Sequence, residues 1–169
     1  MISKSTITII FVAIVFGVIL WFSGGSRISD EMPYYLKSVV KETAEVKISG
    51  AIFYVELAIT DAAREKGLSR RSSLGSGKGM LFIFPTVGRY TFTMQNTLIS
   101  LDIIWINDNK VVYIAPSAKP GELTIDPKTD ANYVLEISGG TAANRGLAVG
   151  DAVDITLSHG SDNVLLEES

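Results

Sequence analysis

The sequence of 169 residues contains no cysteine and only one histidine, His159. Without cysteine there can be no disulfide, no thiolate nucleophile and no thiolate-bound zinc, and one histidine cannot make a cluster of imidazole ligands. An excess of positive charge is also missing, because 15 lysine and arginine residues face 18 aspartate and glutamate residues. This balance argues against nucleic acid as a partner. From the missing cysteines and the single histidine we predict no metal, no cofactor and no catalytic residues.

One long hydrophobic run is present near the N-terminus, where residues 7–22 carry no charge. As a helix this run extends about 24 Å, and its uncharged flanks can lengthen it toward the roughly 30 Å of a bilayer core. We predict a single transmembrane helix in the lipid bilayer. The following domain is expected on the extracytoplasmic side, because long C-terminal domains translocate largely regardless of charge. Cleavage after Gly25 would instead release a secreted domain.

The remaining sequence is predicted to form a short stalk, one β-rich domain and a polar tail. No internal repeat or low-complexity tract occurs in it. The predicted boundaries are 1–26 for the anchor or signal segment, 27–45 for the juxtamembrane stalk, 46–157 for the β domain and 158–169 for a flexible tail.

Alternation of apolar and polar residues predicts the strands of the β domain. One hairpin is expected over residues 46–59, around Ser49-Gly50, and another over residues 101–114. Thr60 and Gly67 are the start and stop signals of a short helix, and residues 142–145 can form a second. Because only short helices separate the strands, we predict a mainly β fold, an antiparallel sandwich or barrel-like domain with one or two short helices.

Basic residues are concentrated between Arg64 and Arg89, where six lysines and arginines are opposed by Glu65 alone. Arginines in a glycine-rich loop can bind a carboxylate or phosphate through paired N–H groups, which makes Arg70 and Arg71 candidate ligand-binding residues. The alternative is that one arginine pairs with an internal carboxylate while the others are solvated.

Acidic residues on predicted strands are a second set of candidates. Asp102 begins a strand close to Asn96 and Thr97 in the sequence. It could line a pocket, or it could accept backbone N–H groups and hold the preceding turn. Glu56 and Glu136 also fall on predicted strands, and two carboxylates on facing strands could act as the acid and base of a glycoside hydrolase.

An ordered set of short motifs runs through residues 46–157. They are Val55-Glu56-Leu57-Ala58, Gly67-Leu68, Gly79-Met80-Leu81-Phe82, Asn96-Thr97, Leu101-Asp102-Ile103, Val134-Leu135-Glu136, Gly139-Gly140 and Gly150-Asp151. In this order they resemble the family catalogued as domain of unknown function 192. The resemblance implies a compact β-sandwich-like domain, often carried behind an export signal or a single membrane helix, with no established biochemical activity.

The polar positions that match the family pattern are expected to converge on one rim. They are Arg70, Asn96, Thr97 and Asp102, with Met94 beside them. The sequence departs from the pattern at Ser69, where methionine is usual, and at Thr93, where tryptophan is usual. The second departure argues against an aromatic platform at that point.

We therefore predict a membrane-tethered, extracytoplasmic binding domain rather than an enzyme. Its ligand is expected to be a small anionic or glycan-like molecule, or a cell-envelope partner, because a polar set lies among apolar strands. The predicted ligand-binding residues are Arg70, Arg71, Met94, Asn96, Thr97 and Asp102. Two alternatives are a hydrolase that uses Asp102 with Glu56 or Glu136 on a glycan, and a structural module of a larger assembly.

Overall fold

The computed structural model describes residues 42–158 of the chain. The predicted membrane helix over residues 7–22, the predicted stalk up to residue 41 and the predicted tail beyond residue 158 lie outside this range. Within it, no helix has both the length and the apolar composition needed to cross a bilayer.

Seven strands and two short helices follow one another along the described chain. The strands are β1 (Thr43–Ile48), β2 (Ala51–Ala58), β3 (Lys78–Gly88), β4 (Leu101–Asn107), β5 (Lys110–Ala118), β6 (Ala131–Ser138) and β7 (Val153–Ser158), and the helices are α1 (Asp61–Lys66) and α2 (Thr141–Asn144). Both predicted hairpins are present, as β1–β2 and β4–β5. The prediction of a mainly β domain with short helices is confirmed.

The strands form one mixed sheet in the order β5-β4-β6-β3-β2-β1-β7. Neighbouring strands are antiparallel except β2 and β3, which are parallel. The prediction of an all-antiparallel sandwich is wrong in this respect. The segment between β2 and β3 is long enough to cross over the sheet and return in the same direction, which a tight hairpin turn cannot do.

Each face of the sheet carries its own apolar cluster. The first cluster receives residues from all seven strands, among them Phe53, Leu81 and Ile104. The outermost strands approach each other where Lys110 pairs with Ala152. The sheet therefore curls around the first cluster in the manner of a barrel, and the barrel-like part of the prediction matches this geometry.

The second cluster occupies the opposite face and is covered by α1 and two loops. Trp105 is fully buried in it, and its Nε1 donates a hydrogen bond to the carbonyl of Tyr90 at 2.8 Å. Residues 89–100 and 119–130 form the covering loops, and Phe92 pairs with Ile125 to join them. The candidate site lies in this covering layer.

Candidate ligand-binding site

Helix α1 forms one wall of the site, and its sequence explains where it begins and ends. The Thr60 side chain accepts a hydrogen bond from the backbone N–H of Ala63 at 3.2 Å, which caps the N-terminus. Gly67 ends the helix with a φ of 47°, in the left-handed region that glycine tolerates. A Cβ at this position would lie 3.3 Å from the Phe82 ring, so glycine lets the chain pass close to that ring.

Arg64 fixes α1 to the sheet. Its Nη1 donates to the carbonyl of Ile59 at 2.6 Å and to that of Ile83 at 2.8 Å. Its Nη2 pairs with Asp61 at 2.5 Å, and its guanidinium carbon lies 5.3 Å from the centroid of the Phe84 ring. Both terminal nitrogens of Arg64 are therefore engaged within the fold.

The loop of residues 89–100 forms the opposite wall and is held by backbone hydrogen bonds. The N–H of Met94 donates to the carbonyl of Glu122 at 2.7 Å, and that of Thr97 donates to Met94 at 3.0 Å. The N–H of Arg70 donates to the carbonyl of Asn96 at 2.8 Å. These bonds keep the loop beside the segment that follows α1.

A cavity of about 280 Å³ lies between these walls, with Glu136 of β6 on its floor. We call it the Glu136 cavity. Its aromatic lining is Phe82, Phe84, Tyr90 and Phe92, and its polar lining includes Ser69, Thr91, Thr93, Gln95, Asn96 and Thr97. The exposed residues Glu65 and Lys66 also border it. A cavity of this kind, mainly apolar with a few polar groups, is typical of small-molecule sites.

The aromatic residues of the cavity are arranged in two pairs. Phe82 and Phe92 meet edge to face with ring centroids 4.9 Å apart, and Phe84 stacks on Tyr90 at 3.6 Å. Thr93 contributes no ring, as its departure from the family pattern implies. The structure nevertheless builds an aromatic wall here from other positions, because β3 and the 89–100 loop place their rings on the same face.

Glu136 is distinguished by its burial and by its lack of a partner. It is 5% exposed, and its Oε2 has no hydrogen-bond partner among residues 42–158. Burial raises the pKa of Glu136 from 4.5 to about 8, because desolvation disfavours the charged carboxylate. Glu136 is therefore protonated at neutral pH when no ligand pairs with it. Buried acids with a raised pKa that line a cavity are characteristic of functional sites.

Three of the six predicted ligand-binding residues come together in the structure. Asn96 and Thr97 line the Glu136 cavity, and Arg70 lines an adjoining hollow of about 400 Å³, which we call the Arg70 depression. The two hollows share Glu65, Lys66, Ser69 and Asn96 in their linings. The two hollows therefore adjoin each other. Met94 is fully buried in the second apolar cluster.

Arg71 lies on a separate cleft, where it pairs with a carboxylate of the fold. Its Nη1 donates to Oε1 of Glu56 at 2.7 Å, and its Nη2 binds Oε2 of the same residue. The hydrogen bonds to Glu56 raise the pKa of Arg71 above its ordinary value. This arrangement matches the alternative in which one arginine of the basic segment pairs with an internal acid.

Asp102 is sealed on the other side of the sheet. It is fully buried, and its carboxylate accepts backbone N–H bonds from Ser117 at 2.7 Å, Gly140 at 2.9 Å and Ala142 at 2.6 Å. The prediction that Asp102 lies on the rim is therefore wrong. Its side chain holds the loop that leads into α2 and the end of β5, as the alternative interpretation of this acid expects.

Strand register separates Asp102 from the other two acids. Glu56 and Glu136 both pair with Met80 and so face the second cluster, whereas Asp102 pairs with Ile137 and faces the first. The hypothesis of a carboxylate pair that includes Asp102 is therefore wrong. Within residues 42–158, no three acidic or histidine side chains approach closely enough to hold a metal ion.

Sequence reasoning did not identify Glu136 as a ligand-binding residue. A usable signal was present, because Glu136 lies within the apolar run Val134-Leu135-Glu136-Ile137. Apolar residues at consecutive positions indicate a strand that is buried on both faces, and an acid within such a strand is necessarily interior.

Comparison with known proteins assigns the chain to a family. The pattern of DUF192, described as an uncharacterized ACR, matches residues 44–155. The chain belongs to the DUF192 family. The resemblance found in the motifs is thereby confirmed, and the family carries no established activity from which the function of this member could be taken.

Solved structures similar to this DUF192 protein include the following two. A protein of unknown function from Novosphingobium aromaticivorans is 34% identical with a TM-score of 0.64, covering 78% of this chain and 99% of its own. A candidate transcription regulator from Sinorhizobium meliloti is 32% identical with a TM-score of 0.63, covering 68% of this chain and 93% of its own. No curated protein matches the sequence.

Proposed function

We propose that this DUF192 protein is a non-catalytic binding domain, tethered to the membrane on its extracytoplasmic side, that takes a small anionic or glycan-like ligand. The ligand occupies the Glu136 cavity and the Arg70 depression together. The observation that carries the proposal is that these two hollows adjoin each other through shared lining residues, one with a buried unpartnered acid and the other with an exposed arginine.

The Arg70 depression supplies the groups that recognise anionic or hydroxylated molecules. Arg70 is exposed and makes no ion pair among the described residues, and Lys66, Ser69 and Asn96 lie beside it. Arginine can bind a carboxylate through two parallel N–H bonds, and amides and hydroxyls bind sugar oxygens. Binding without catalysis is favoured because Glu136 is the only buried carboxyl in the two linings, and paired acid–base chemistry needs two such groups.

Glucuronate, which is both anionic and a sugar, is a direct probe of this proposal. Glucuronate is expected to shift the amide resonances of Lys66, Ser69 and Asn96 in NMR spectra of the full chain in neutral detergent. Arg70→Gln is expected to weaken binding about tenfold, the loss of one charge-assisted hydrogen bond. Ser69→Trp, which fills the shared part of the lining, is expected to abolish binding.

Arg145→Gln is the matched control, because Arg145 is exposed at the end of α2 and lies in neither hollow. It should bind glucuronate as the native chain does. If Arg70→Gln and Arg145→Gln lost glucuronate affinity equally, the effect would come from the net charge of the protein. That result would contradict the assigned site. Failure of every sugar and anion to bind would favour the alternative of a structural assembly module.

Because the chain has no cysteine, a single introduced thiol can report whether the domain is tethered and on which side of the membrane it lies. A single thiol introduced by Ser76→Cys, in an exposed turn of the domain, is expected to react with a membrane-impermeant maleimide on intact cells. A thiol introduced by Ser3→Cys, before the hydrophobic run, should react only after the membrane is opened. The reverse pattern would contradict the extracytoplasmic placement, and recovery of the Ser76→Cys protein in the medium would contradict the tether.

A further inference from the structure

We infer that the deep end of the Glu136 cavity binds a positively charged nitrogen of the ligand, a protonated amine that pairs with the Glu136 carboxylate. This inference rests on the proposed binding function and names the chemistry of one end of the ligand. Combined with the Arg70 depression, it describes a small zwitterion or an amine-bearing sugar.

The first support is the position of the unpartnered carboxyl oxygen. Oε2 of Glu136 is buried and has no hydrogen-bond partner within residues 42–158, and Glu136 is one of the residues that line the cavity. Leaving a buried polar atom unpaired costs free energy, and folded proteins retain few such atoms. A donor from a ligand would satisfy it, and a charged ammonium donor gains most from an acid in surroundings of low dielectric constant.

The second support is the aromatic wall beside the acid. Ring faces attract cations, and aromatic cages recognise ammonium groups. Phe82, Phe92 and the stacked pair of Phe84 and Tyr90 line this cavity. One face of Phe84 already holds the Arg64 guanidinium at 5.3 Å, which shows that this wall accepts a cation within the fold itself.

The third support is the state of the charged and titratable groups around Glu136. Those that line its cavity are Arg64, Glu65 and Lys66 from α1 and Tyr90 from the 89–100 loop, and Glu56 of β2 lies on the same face of the sheet, paired with the same Met80. Arg64 is engaged with Asp61 and two carbonyls, and Glu56 is engaged with Arg71. The Tyr90 hydroxyl donates to the carbonyl of Thr86 at 2.8 Å. No cation of the described chain pairs with Glu136, so this role is left to the ligand.

Binding of an amine transfers one proton to solvent. Before an amine binds, Glu136 is protonated below its pKa of about 8. The ammonium keeps its own proton, the O–H bond of the Glu136 carboxyl breaks, and that proton leaves as the ion pair forms. Affinity for the amine therefore rises about tenfold per pH unit below pH 8 and levels off above it. An anionic group at the same place would show the opposite dependence, because it needs the protonated acid.

Benzylamine, benzyl alcohol and benzoate make a matched set of probes, since they share a ring and differ in the charge of one group. With the full chain in neutral detergent, benzylamine is expected to bind most tightly, with a dissociation constant about tenfold lower at pH 7.5 than at pH 6.5. Glu136→Gln should lose both the preference for the amine and the pH dependence. Glu45→Gln, an identical change on β1 outside the cavity, should keep both.

Each contrary result has a defined meaning. If benzyl alcohol or benzoate binds as tightly as benzylamine, or if Glu136→Gln keeps the preference, the inference is overturned. The proposed binding function survives that outcome provided that glucuronate still binds and Ser69→Trp still abolishes its binding. If none of the three ring probes binds, the inference also fails, and the glucuronate titration decides separately whether the binding function fails with it.

Discussion

The native chain is expected to become less stable between pH 5 and pH 8, and the Glu136→Gln variant is expected not to. Over this interval the folded state retains a proton on Glu136 that the unfolded state has released, because burial raises the pKa from 4.5 to about 8. The native unfolding free energy therefore decreases as pH rises across this interval, by up to about 1.4 kcal/mol per pH unit and about 4 kcal/mol in total. Glutamine does not ionise, so the Glu136→Gln variant does not show this loss of stability with rising pH.

Urea unfolding of the full chain in neutral detergent, followed by near-ultraviolet circular dichroism at several pH values, measures the effect. The stability advantage of Glu136→Gln over the native chain should grow from pH 5 to pH 8 and then remain constant. Glu45→Gln serves as control and should follow the native slope. Asp126, whose pKa is lowered from 3.8 to about 2 by Arg89, contributes only below this interval. Parallel curves for the native and Glu136→Gln chains would contradict the assignment of Glu136 as the buried acid.

Asp102→Ala is expected to reduce the unfolding free energy by about 3 to 5 kcal/mol at pH 7. The substitution leaves the N–H groups of Ser117, Gly140 and Ala142 without their acceptor in a sealed environment. Each buried donor left unpaired costs about 1 to 3 kcal/mol, and the removed carboxylate also leaves a small void. Asp102→Asn should cost less, because its amide retains one acceptor oxygen.

Asp154→Ala is the matched control for this prediction, since Asp154 is exposed on β7. Its effect on urea unfolding should stay within about 0.5 kcal/mol. A loss below about 1 kcal/mol for Asp102→Ala would show that water replaces the carboxylate. The structural role that the three hydrogen bonds assign to Asp102 would then be incorrect.

The local elements of the fold could be predicted because their signals are short-range. Ser49-Gly50 and Asp108-Asn109 adopt positive φ angles in the two hairpin turns, and these are residue types that tolerate or favour such turns. The cap at Thr60 and the stop at Gly67 follow the same logic for α1. Each of these signals depends only on neighbours in the chain, so a single sequence displays it in full.

The pairing of β2 with β3 could not be predicted in the same way. It depends on which distant strand the chain meets after crossing the sheet, and the hydrophobic alternation of β2 suits either direction. A similar dependence on a distant strand is seen on the other side of β3, where a Cβ at Gly79 would lie 2.5 Å from the backbone oxygen of Glu136 on β6. The sequence contains the glycine, but it does not identify the strand whose close approach requires a glycine there.

The sequence by itself determined a mainly β domain of the DUF192 family with two hairpins and short helices, because backbone preferences and hydrophobic periodicity act over a few residues. Only the tertiary structure decided which polar residues share a surface. Alternation along a strand assigns side chains to two faces, but it does not say which face a loop will seal and which it will leave hollow. Asp102 therefore became a buried acceptor of backbone N–H groups, while Glu136, on the other face, became the floor of a cavity.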